Sequence, residues 1–446
     1  MTFKRFTYKW LGVVTALTLL LPFATGERAQ AIELAAVTQP KVTIELDGYR
    51  LATDPEPMTY NGRTMVPFRA FAEALGFDVE WVPETRRIVA KQEQLEVLLQ
   101  VGNKTATVNG EKMTLDAEPV IFSGRTMIPA RFLSEAVGVQ VEWQAEERKV
   151  VLTSQERALH TMVYYGLGSY ANRGFLPPFD EAAFTWSRLD AEGHLVFDES
   201  EYQWPTEGAD DLLQEVDAAG VDRSLMVFST DEEGELTRLL GDEPLQAQFA
   251  ADLSAKMQTN GFHTAVLDLE TLGSPTDDYE QVRAHYAALV KRVADVLHAN
   301  GQQLTVVVSP LNGWYKGYDY KALAASADYL YVMAYSYIED KKPQPLEKID
   351  EAIRLALSEV PADKVVLGIN AYSETPETVR QKIGLAKRYD LYGVGFWILR
   401  VFDQEFQEAV DESLLMRPER VQPDEPETTE TPATNTEASL HPAWNA

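Results

Sequence analysis

The stretch from Gly261 to Gly273 reads GFHTAVLDLETLG. Residues 265–269 are apolar except for Asp268, and Glu270 follows directly before a loop of small and polar residues. This pattern is typical of a buried parallel strand that ends at a functional site. Side chains on a strand alternate, so Asp268 and Glu270 share one face, where two ionised carboxylates would repel each other. We therefore predict that the outer group, Glu270, holds a proton at neutral pH, as a general acid must.

The stretch resembles the fourth-strand signature of family 18 glycoside hydrolases, D-x-x-D-x-D-x-E. The final D-x-E of that signature falls on Asp268 and Glu270, while its first two acidic positions fall on His263 and Val266. Spacing alone leaves open a strand end whose carboxylates are simply solvated or salt-bridged. The resemblance instead implies that Glu270 is a catalytic acid and that Asp268 assists it.

From about residue 158 to 416 the sequence alternates between strand-like and helix-like segments. A single (β/α)8 barrel typically needs about 250 residues, which this region supplies. We predict an α/β fold, a (β/α)8 TIM barrel with a separate N-terminal α+β repeat domain. The predicted barrel strands are 161–168, 183–189, 223–229, 264–270, 303–309, 329–335, 364–369 and 392–398.

Three further strand ends are similar to the same family. The sixth resembles its M-x-Y-D motif with Ser336 in the aspartate position, the seventh its L-G-x-x-x-Y motif, and the eighth its sugar-stacking tryptophan. The third departs, because residues 229–232 read STDE where many members have S-x-G-G. The resemblance implies that Tyr335 completes the catalytic set. It also implies substrate contacts from Trp397, Met333, Tyr165, Tyr337 and Asn370.

The mechanism implied by this resemblance is substrate-assisted retaining hydrolysis of a glycan that contains N-acetylglucosamine, peptidoglycan or a chitin-like polymer. It needs no cofactor and no metal. The short seventh loop, after residue 370, leaves no room for an extra lobe and favours a shallow groove. The alternative is a catalytically inactive barrel that binds glycan or cell wall outside the cell. His263, Val266 and Ser336 in normally acidic positions favour that alternative, and another kind of hydrolase on the same barrel is a third possibility.

Residues 40–155 contain an internal repeat whose copies lie 62 residues apart (143 − 81), so that Arg69 matches Arg131 and Trp81 matches Trp143. The pattern resembles the copper amine oxidase N-terminal domain. No His or Cys lies between residues 32 and 159, so the ligands that copper favours are missing from this region. We predict that both tryptophans belong to the hydrophobic core of this domain.

Composition excludes several functions. The chain has 446 residues, a net charge of -29 and no cysteine. Binding to nucleic acid or to an anionic membrane surface through charge is therefore disfavoured, and disulfides and thiolate chemistry are excluded.

The two ends of the sequence carry their own signals. Residues 1–31 combine Lys4, Arg5 and Lys9 with a short apolar run and Ala-Gln-Ala, which predicts a signal peptide cleaved after Ala31. The mature protein is then expected to be secreted, extracellular or associated with the cell wall, with no membrane contact after cleavage; an uncleaved membrane anchor is the alternative. Residues 417–446 are acidic and rich in Pro and Thr, which predicts a disordered tail.

Overall fold

The structure, a computed structural model, describes residues 42–416 except 93–94, 199–201, 275–277 and 339–340. The signal peptide predicted for residues 1–31 and the tail predicted for residues 417–446 lie outside the described residues. The described chain forms a β-rich N-terminal domain followed by a closed parallel barrel.

The N-terminal domain consists of short strands and two seven-residue helices. Its elements are β1 (Thr43–Leu46), β2 (Tyr49–Arg50), β3 (Met58–Tyr60), β4 (Arg63–Pro67), α1 (Phe68–Ala74), β5 (Asp78–Val82), β6 (Arg87–Gln92), β7 (Leu95–Gln100), β8 (Thr105–Val108), β9 (Glu111–Thr114), β10 (Val120–Phe122), β11 (Arg125–Pro129), α2 (Arg131–Val137), β12 (Gln140–Gln144) and β13 (Lys149–Thr153).

The order of these elements follows the repeated sequence. The run β3-β4-α1-β5-β6 recurs as β10-β11-α2-β12-β13, and the two hairpins join in one sheet of order β10-β11-β4-β3. Between the repeats, β8 and β9 pair through the two-residue turn Asn109-Gly110, whose φ angles of 49° and 83° are those of a type I′ hairpin.

Trp81 and Trp143 were both predicted to be core residues, and the structure separates them. Trp81 is partly buried against the apolar core of the domain. Trp143 is 44% exposed, so the prediction is wrong for that residue. It lies on β12 and Trp81 on β5, and both are edge strands of their sheets, so the position of the strand does not explain the difference in exposure.

The barrel consists of alternating strands and helices, with a short antiparallel strand added after the second barrel strand. Its elements are β14 (His160–Tyr165), β15 (Glu181–Leu189), β16 (Leu195–Val196), α3 (Ala209–Ala218), β17 (Asp222–Ser229), α4 (Glu235–Gly241), α5 (Glu243–Asn260), β18 (Thr264–Leu269), α6 (Tyr279–Ala299), β19 (Gln303–Val308), α7 (Tyr320–Ala324), β20 (Tyr329–Val332), α8 (Leu346–Leu357), β21 (Val365–Asn370), α9 (Pro376–Arg388), β22 (Gly393–Trp397) and α10 (Gln404–Asp411).

The parallel sheet closes on itself, because β14 pairs with both β15 and β22. The predicted TIM barrel with a separate N-terminal domain is therefore confirmed. Each predicted barrel strand corresponds to an observed one, with ends that differ by a few residues. Helix ends follow local chemistry. For example, α5 begins where the Asp242 carboxylate accepts the Leu245 N–H at 3.0 Å, and it ends at Gly261 with φ 69°.

Alternate residues of each strand face opposite ways. One set packs between the sheet and the helices in the large outer core, and the other fills the interior of the barrel. The glycines of the seventh and eighth strands have a steric role in that interior. A Cβ on Gly368 or Gly395 would collide with the ring of Tyr331, so these two positions make room for a buried tyrosine.

Within the described ranges, no helix is both long and apolar enough to cross a membrane.

Candidate active site

The two carboxylates sit at the carboxyl end of β18, the fourth strand of the barrel. Asp268 is 5% exposed and Glu270, one residue beyond the strand, is partly buried. The backbone N–H of Glu270 donates to the carbonyl oxygen of Ser229 at 2.8 Å, which continues the pairing with β17 past the assigned strand end. The carboxyl ends of the strands are where TIM barrels build their active sites.

The pKa values of both carboxyls are raised. Burial raises the pKa of Asp268 well above its usual value, and the charge of Glu270 raises it further. Burial also raises the pKa of Glu270. Burial and the like charge of a neighbouring carboxyl both favour a proton on this pair, and the assignment of that proton to Glu270 stays a prediction. The spacing of two acids in a sequence does not tell how deep the strand carries each one.

Among the buried polar atoms that have no hydrogen-bond partner within the described ranges, two face the interior of the barrel at this pair. They are Oδ1 of Asp268 and the hydroxyl of Tyr164. The two groups are close enough that Asp268 contributes to the raised pKa of Tyr164. Buried polar atoms in native proteins are nearly always paired. A substrate group that donates and accepts hydrogen bonds would satisfy both atoms.

Tyr335 and Trp397 border the same space. Burial raises the pKa of Tyr335 well above its usual value, with further contributions from Tyr331, Asp268, Tyr164 and Glu270. The Trp397 ring meets the Tyr164 ring edge to face, with centroids 5.2 Å apart. Met333, Tyr335 and Trp397 all pack against the interior cluster. The structure thus brings these three predicted residues together with the carboxylate pair.

The structure does not bring Tyr165 to this space. Its side chain faces the helices and is buried against Phe184, with ring centroids 5.2 Å apart. Tyr164, its neighbour on the opposite face of β14, fills the interior position instead. Residues 162–165 read MVYY and carry apolar or aromatic side chains on both faces of the strand, so alternation alone did not decide which tyrosine points inward.

Tyr337 and Asn370 lie at the edge of the barrel mouth. The Tyr337 hydroxyl donates to Oδ1 of Asn312 at 2.8 Å, and its ring packs against the outer core rather than the interior cluster. Asn370 lies beside Trp397 on the neighbouring strand, and its Oδ1 accepts the Tyr372 N–H at 3.1 Å. Asn370 is therefore next to the site, and Tyr337 is displaced from it.

The loop after Glu270 is held tightly. Thr271 has a left-handed φ of 61°, and its hydroxyl donates to the carbonyl oxygen of Thr230 at 2.5 Å. A β-branched residue in this conformation is strained. Gly273 packs directly on the backbone of Gly317, which leaves no space for a side chain. These contacts fix the position of the Glu270 backbone.

Exposed aromatic residues around the mouth were not among the sequence predictions. Tyr170, Trp314 and Tyr372 are 55%, 68% and 39% exposed, and they follow the first, fifth and seventh barrel strands. The Arg173 guanidinium lies 4.2 Å from the Tyr170 ring centroid. Exposed aromatics on the active-site face are suited to stack on sugar rings. Their position shortly after strand ends is the signal that could have found them.

Among the residues that the structure describes, no cluster of three or more His, Asp or Glu side chains is arranged to hold a metal ion.

The sequence matches two known families. Residues 161–391 match glycosyl hydrolases family 18, and residues 45–152 match the copper amine oxidase N-terminal domain. Since the first match covers more than half of the 446 residues, the chain belongs to family 18 of the glycosyl hydrolases. Both family resemblances, and the enzyme class that the first implies, are confirmed at the level of the family. Residues 45–152 contain no His or Cys, so they do not offer the ligands that copper favours.

Individual relatives are more distant. The cortical fragment-lytic enzyme of Bacillus subtilis (strain 168) is 27% identical over 153 residues, which make up 32% of this chain and 34% of the relative. The putative sporulation-specific glycosylase YdhD of the same organism is 30% identical over 112 residues, 22% of this chain and 27% of the relative. These matches span about a third or less of the relatives' length.

The fold is also similar to that of a solved structure. A chitinase from Chromobacterium violaceum ATCC 12472 superposes with a TM-score of 0.51 at 20% identity, covering 58% of this chain and all of that structure (100%). At this identity the superposition supports the barrel fold alone.

Proposed function

We propose that this protein is a secreted glycoside hydrolase that cleaves glycans containing N-acetylglucosamine, with peptidoglycan as the preferred class. The observation that carries the proposal is the buried pair Asp268 and Glu270 at the carboxyl end of a barrel strand. Membership of family 18 and the lytic and glycosylase names of its relatives support it. The predicted signal peptide in residues 1–31 supports action outside the cytoplasm.

In the first step Glu270 donates its proton to the glycosidic oxygen, so the leaving sugar departs as an alcohol. The carbonyl oxygen of the N-acetyl group attacks the anomeric carbon of the same sugar and forms an oxazolinium ion. Asp268 accepts the N–H of that acetamido group and balances its growing positive charge. The Tyr335 hydroxyl donates to the carbonyl oxygen and holds it in line.

In the second step the Glu270 carboxylate takes a proton from water, and the resulting nucleophile opens the oxazolinium ion. Two inversions at the anomeric carbon give net retention of configuration. The unpaired Asp268 Oδ1 and Tyr164 hydroxyl would be satisfied by the acetamido group and its water. Trp397 would form the floor beneath the sugar.

The short seventh loop supports the choice of substrate class. Only residues 371–375 separate β21 from α9, so the mouth has no added lobe on this side. A shallow groove accommodates a bulky, cross-linked polymer more easily than a deep one.

A second candidate is a barrel that binds glycan without cutting it. Val266, in a normally acidic position, is fully buried directly below Asp268, and Ser336 replaces a second acid with a left-handed φ of 62°. This candidate predicts sugar binding that depends on Trp397 and no turnover.

The test is incubation of the purified protein with peptidoglycan and with chitin oligomers, with products identified by mass and their anomeric configuration followed by NMR. We expect products with retained configuration from at least one polymer. Absence of products, together with sugar binding that is lost in Trp397→Ala, would establish the binding protein instead.

A further inference from the structure

The N-terminal domain carries a surface groove on each of its two repeats. The first, here called groove A, has a volume of about 660 Å³. Asp54, Arg69 and Trp81 line it from the first repeat, and the turn at residues 124–126 closes it from the second.

The second groove, groove B, has a volume of about 380 Å³ and the corresponding lining. Asp116, Arg131 and Trp143 come from the second repeat, and the turn at residues 62–64 comes from the first. Each of these positions lies 62 residues from its counterpart in groove A, for example 143 − 81.

The two repeats are related by a local two-fold axis, which explains why each groove includes a turn from the other repeat. Strands β4 and β11 pair antiparallel, with Val66 opposite Ile128, and these two residues are equivalent positions of the repeat. On either side of them Met127 pairs with Pro67 and Pro129 with Met65. These two pairs are equivalent as well, because Met127 matches Met65 in the repeat and Pro129 matches Pro67. The repeated Met-Val/Ile-Pro segment is buried and forms the core. The core does not explain why the exposed arginines on either side of that segment are repeated.

The chemistry of both grooves is the same. Each combines a tryptophan with two arginines, one from the helix start and one from the other repeat's turn. Each also contains two carboxylates, Asp54 and Glu73 in groove A and Asp116 and Glu142 in groove B. An indole face stacks on the C–H face of a pyranose ring, as aromatic rings do on flat apolar surfaces. A guanidinium matches the geometry of a carboxylate with two parallel hydrogen bonds. A sugar that carries a carboxylate satisfies both requirements at once.

The contacts of the arginines hold this arrangement in place. The Nη1 atom of Arg69 donates to the carbonyl oxygen of Val79 at 2.8 Å and to Oε1 of Glu73 at 3.1 Å, which holds the guanidinium beside the strand of Trp81. In groove B, Nε of Arg63 lies 2.8 Å from Oδ2 of Asp116. Arg125 and Arg131 are exposed at the groove rims.

We propose that grooves A and B are two equivalent binding sites for a glycan whose sugars carry carboxylate groups. The proposal goes beyond the hydrolysis proposed for the barrel and involves a different part of the chain. With a net charge of -29, the protein as a whole repels an acidic polymer, so binding depends on these local arginines. Two sites on one domain bind a repeating polymer far more tightly than one, since the second contact is intramolecular.

The first test uses a sugar that has no glycosidic bond to cut. The indole N–H signals of Trp81 and Trp143 in the full chain, assigned with Trp→Phe variants, are followed by NMR during titration with N-acetylmuramic acid. N-acetylglucosamine, which lacks only the lactyl carboxylate group, is the matched control. We expect both signals to shift with the acidic sugar and to shift less with the neutral one. Signals that stay still, or that respond equally to both sugars or to polyglutamate, would overturn the proposal.

The second test measures sedimentation of the full chain with insoluble peptidoglycan. Loss of one site should lower the apparent affinity by about 10²-fold, because binding becomes monovalent. Trp81→Ala and Trp143→Ala should therefore have similar effects, and the double variant should bind more weakly still. Arg125→Gln and Arg131→Gln, one in each groove, test the charge with both indoles intact. Arg87→Gln, an exposed arginine of the same domain outside both grooves, is the matched control.

Failure of the proposal for the grooves can be distinguished from failure of the hydrolase function proposed for the barrel. Cleavage of soluble chitin oligomers should be unchanged in every groove variant, and Glu270→Gln should lose cleavage while keeping sedimentation with the polymer. A double tryptophan variant that sediments like the wild type, with an unchanged thermal unfolding curve, would refute the two sites.

Discussion

The barrel buries carboxylates at both of its ends, and the surroundings of the two differ. At the amino end, Glu181 at the start of β15 lies 2.8 Å from Nε2 of His160 and also accepts the hydroxyl of Ser224. At the carboxyl end, Asp268 keeps an oxygen without any hydrogen-bond partner in the part of the chain that the structure describes. Both side chains are more than nine-tenths buried. Burial alone therefore does not distinguish a functional carboxylate from a structural one.

The two carboxylates differ in whether neighbouring groups form hydrogen bonds with both of their oxygens. Burial opposes protonation of His160, but the hydrogen bond and the charge of Glu181 outweigh it, so the pKa of His160 is raised. The stacked Tyr392 ring, 5.0 Å away between centroids, completes the packing of this ring. Asp268 has instead a raised pKa and an acidic neighbour. A buried carboxylate whose hydrogen bonds are complete, at the amino end of a barrel, indicates a role in stability. A buried carboxylate with an unpaired oxygen, at the carboxyl end, indicates a role in function.

The largest expected effect is at the outer carboxyl. Glu270→Gln should keep the fold, because the amide has nearly the same shape, and should lower turnover by about 10²–10⁴-fold since general acid–base catalysis is lost. In the wild type, turnover should fall as pH rises through the raised pKa of Glu270, because the acid must be protonated. Rates on a soluble oligomer across pH measure both effects. Unchanged turnover in this variant would remove Glu270 from the mechanism.

Asp268→Asn tests the unsatisfied group itself. Turnover should fall by about 10²-fold, as when one preorganised electrostatic contact is removed. The folded-state pKa of Asp268 lies above its unfolded value of about 3.9, so ionisation of this group destabilises the fold as pH rises between the two. The variant should therefore unfold at a higher temperature than the wild type at neutral and alkaline pH, with the difference disappearing at acidic pH. Lower stability of the variant at every pH would contradict this reading of Asp268.

Glu181→Gln should give the opposite result at the other end of the barrel. The unfolding free energy should fall by about 1.5–3 kcal/mol, the range for a hydrogen bond to a charged group, while turnover changes little. Because the pKa of His160 is raised in the fold, its contribution to stability is complete below the unfolded value of about 6.5 and is lost as pH rises through the folded value. Urea unfolding at several pH values measures this slope, which the variant should reduce. A variant that folds normally but loses turnover would break the distinction between the two ends.

Patterns local to the sequence allowed correct prediction of the barrel and its strands. The alternation of strand-like and helix-like segments, the Asn109-Gly110 turn and the carboxylates that follow an apolar run each depend on a few neighbouring residues. Turn and strand preferences are local, so a single sequence carries them. The prediction for Trp143 was wrong because burial depends on contacts with residues distant in the sequence, so that equivalent positions of the repeat differ in exposure.

The sequence by itself determined which side chains the molecule has and how they are spaced. It placed two acids two residues apart and repeated a tryptophan and its arginines after 62 residues (143 − 81). Only the tertiary structure decided which of Tyr164 and Tyr165 faces the barrel interior and which of the two acids is more deeply buried. It also decided that each groove is lined in part by a turn of the other repeat. The burial of each acid, the direction of each tyrosine side chain and the sharing of turns between the repeats all arise from contacts between residues far apart in the chain. Their energies depend on solvent exclusion by the whole barrel or the whole domain, which no local pattern encodes.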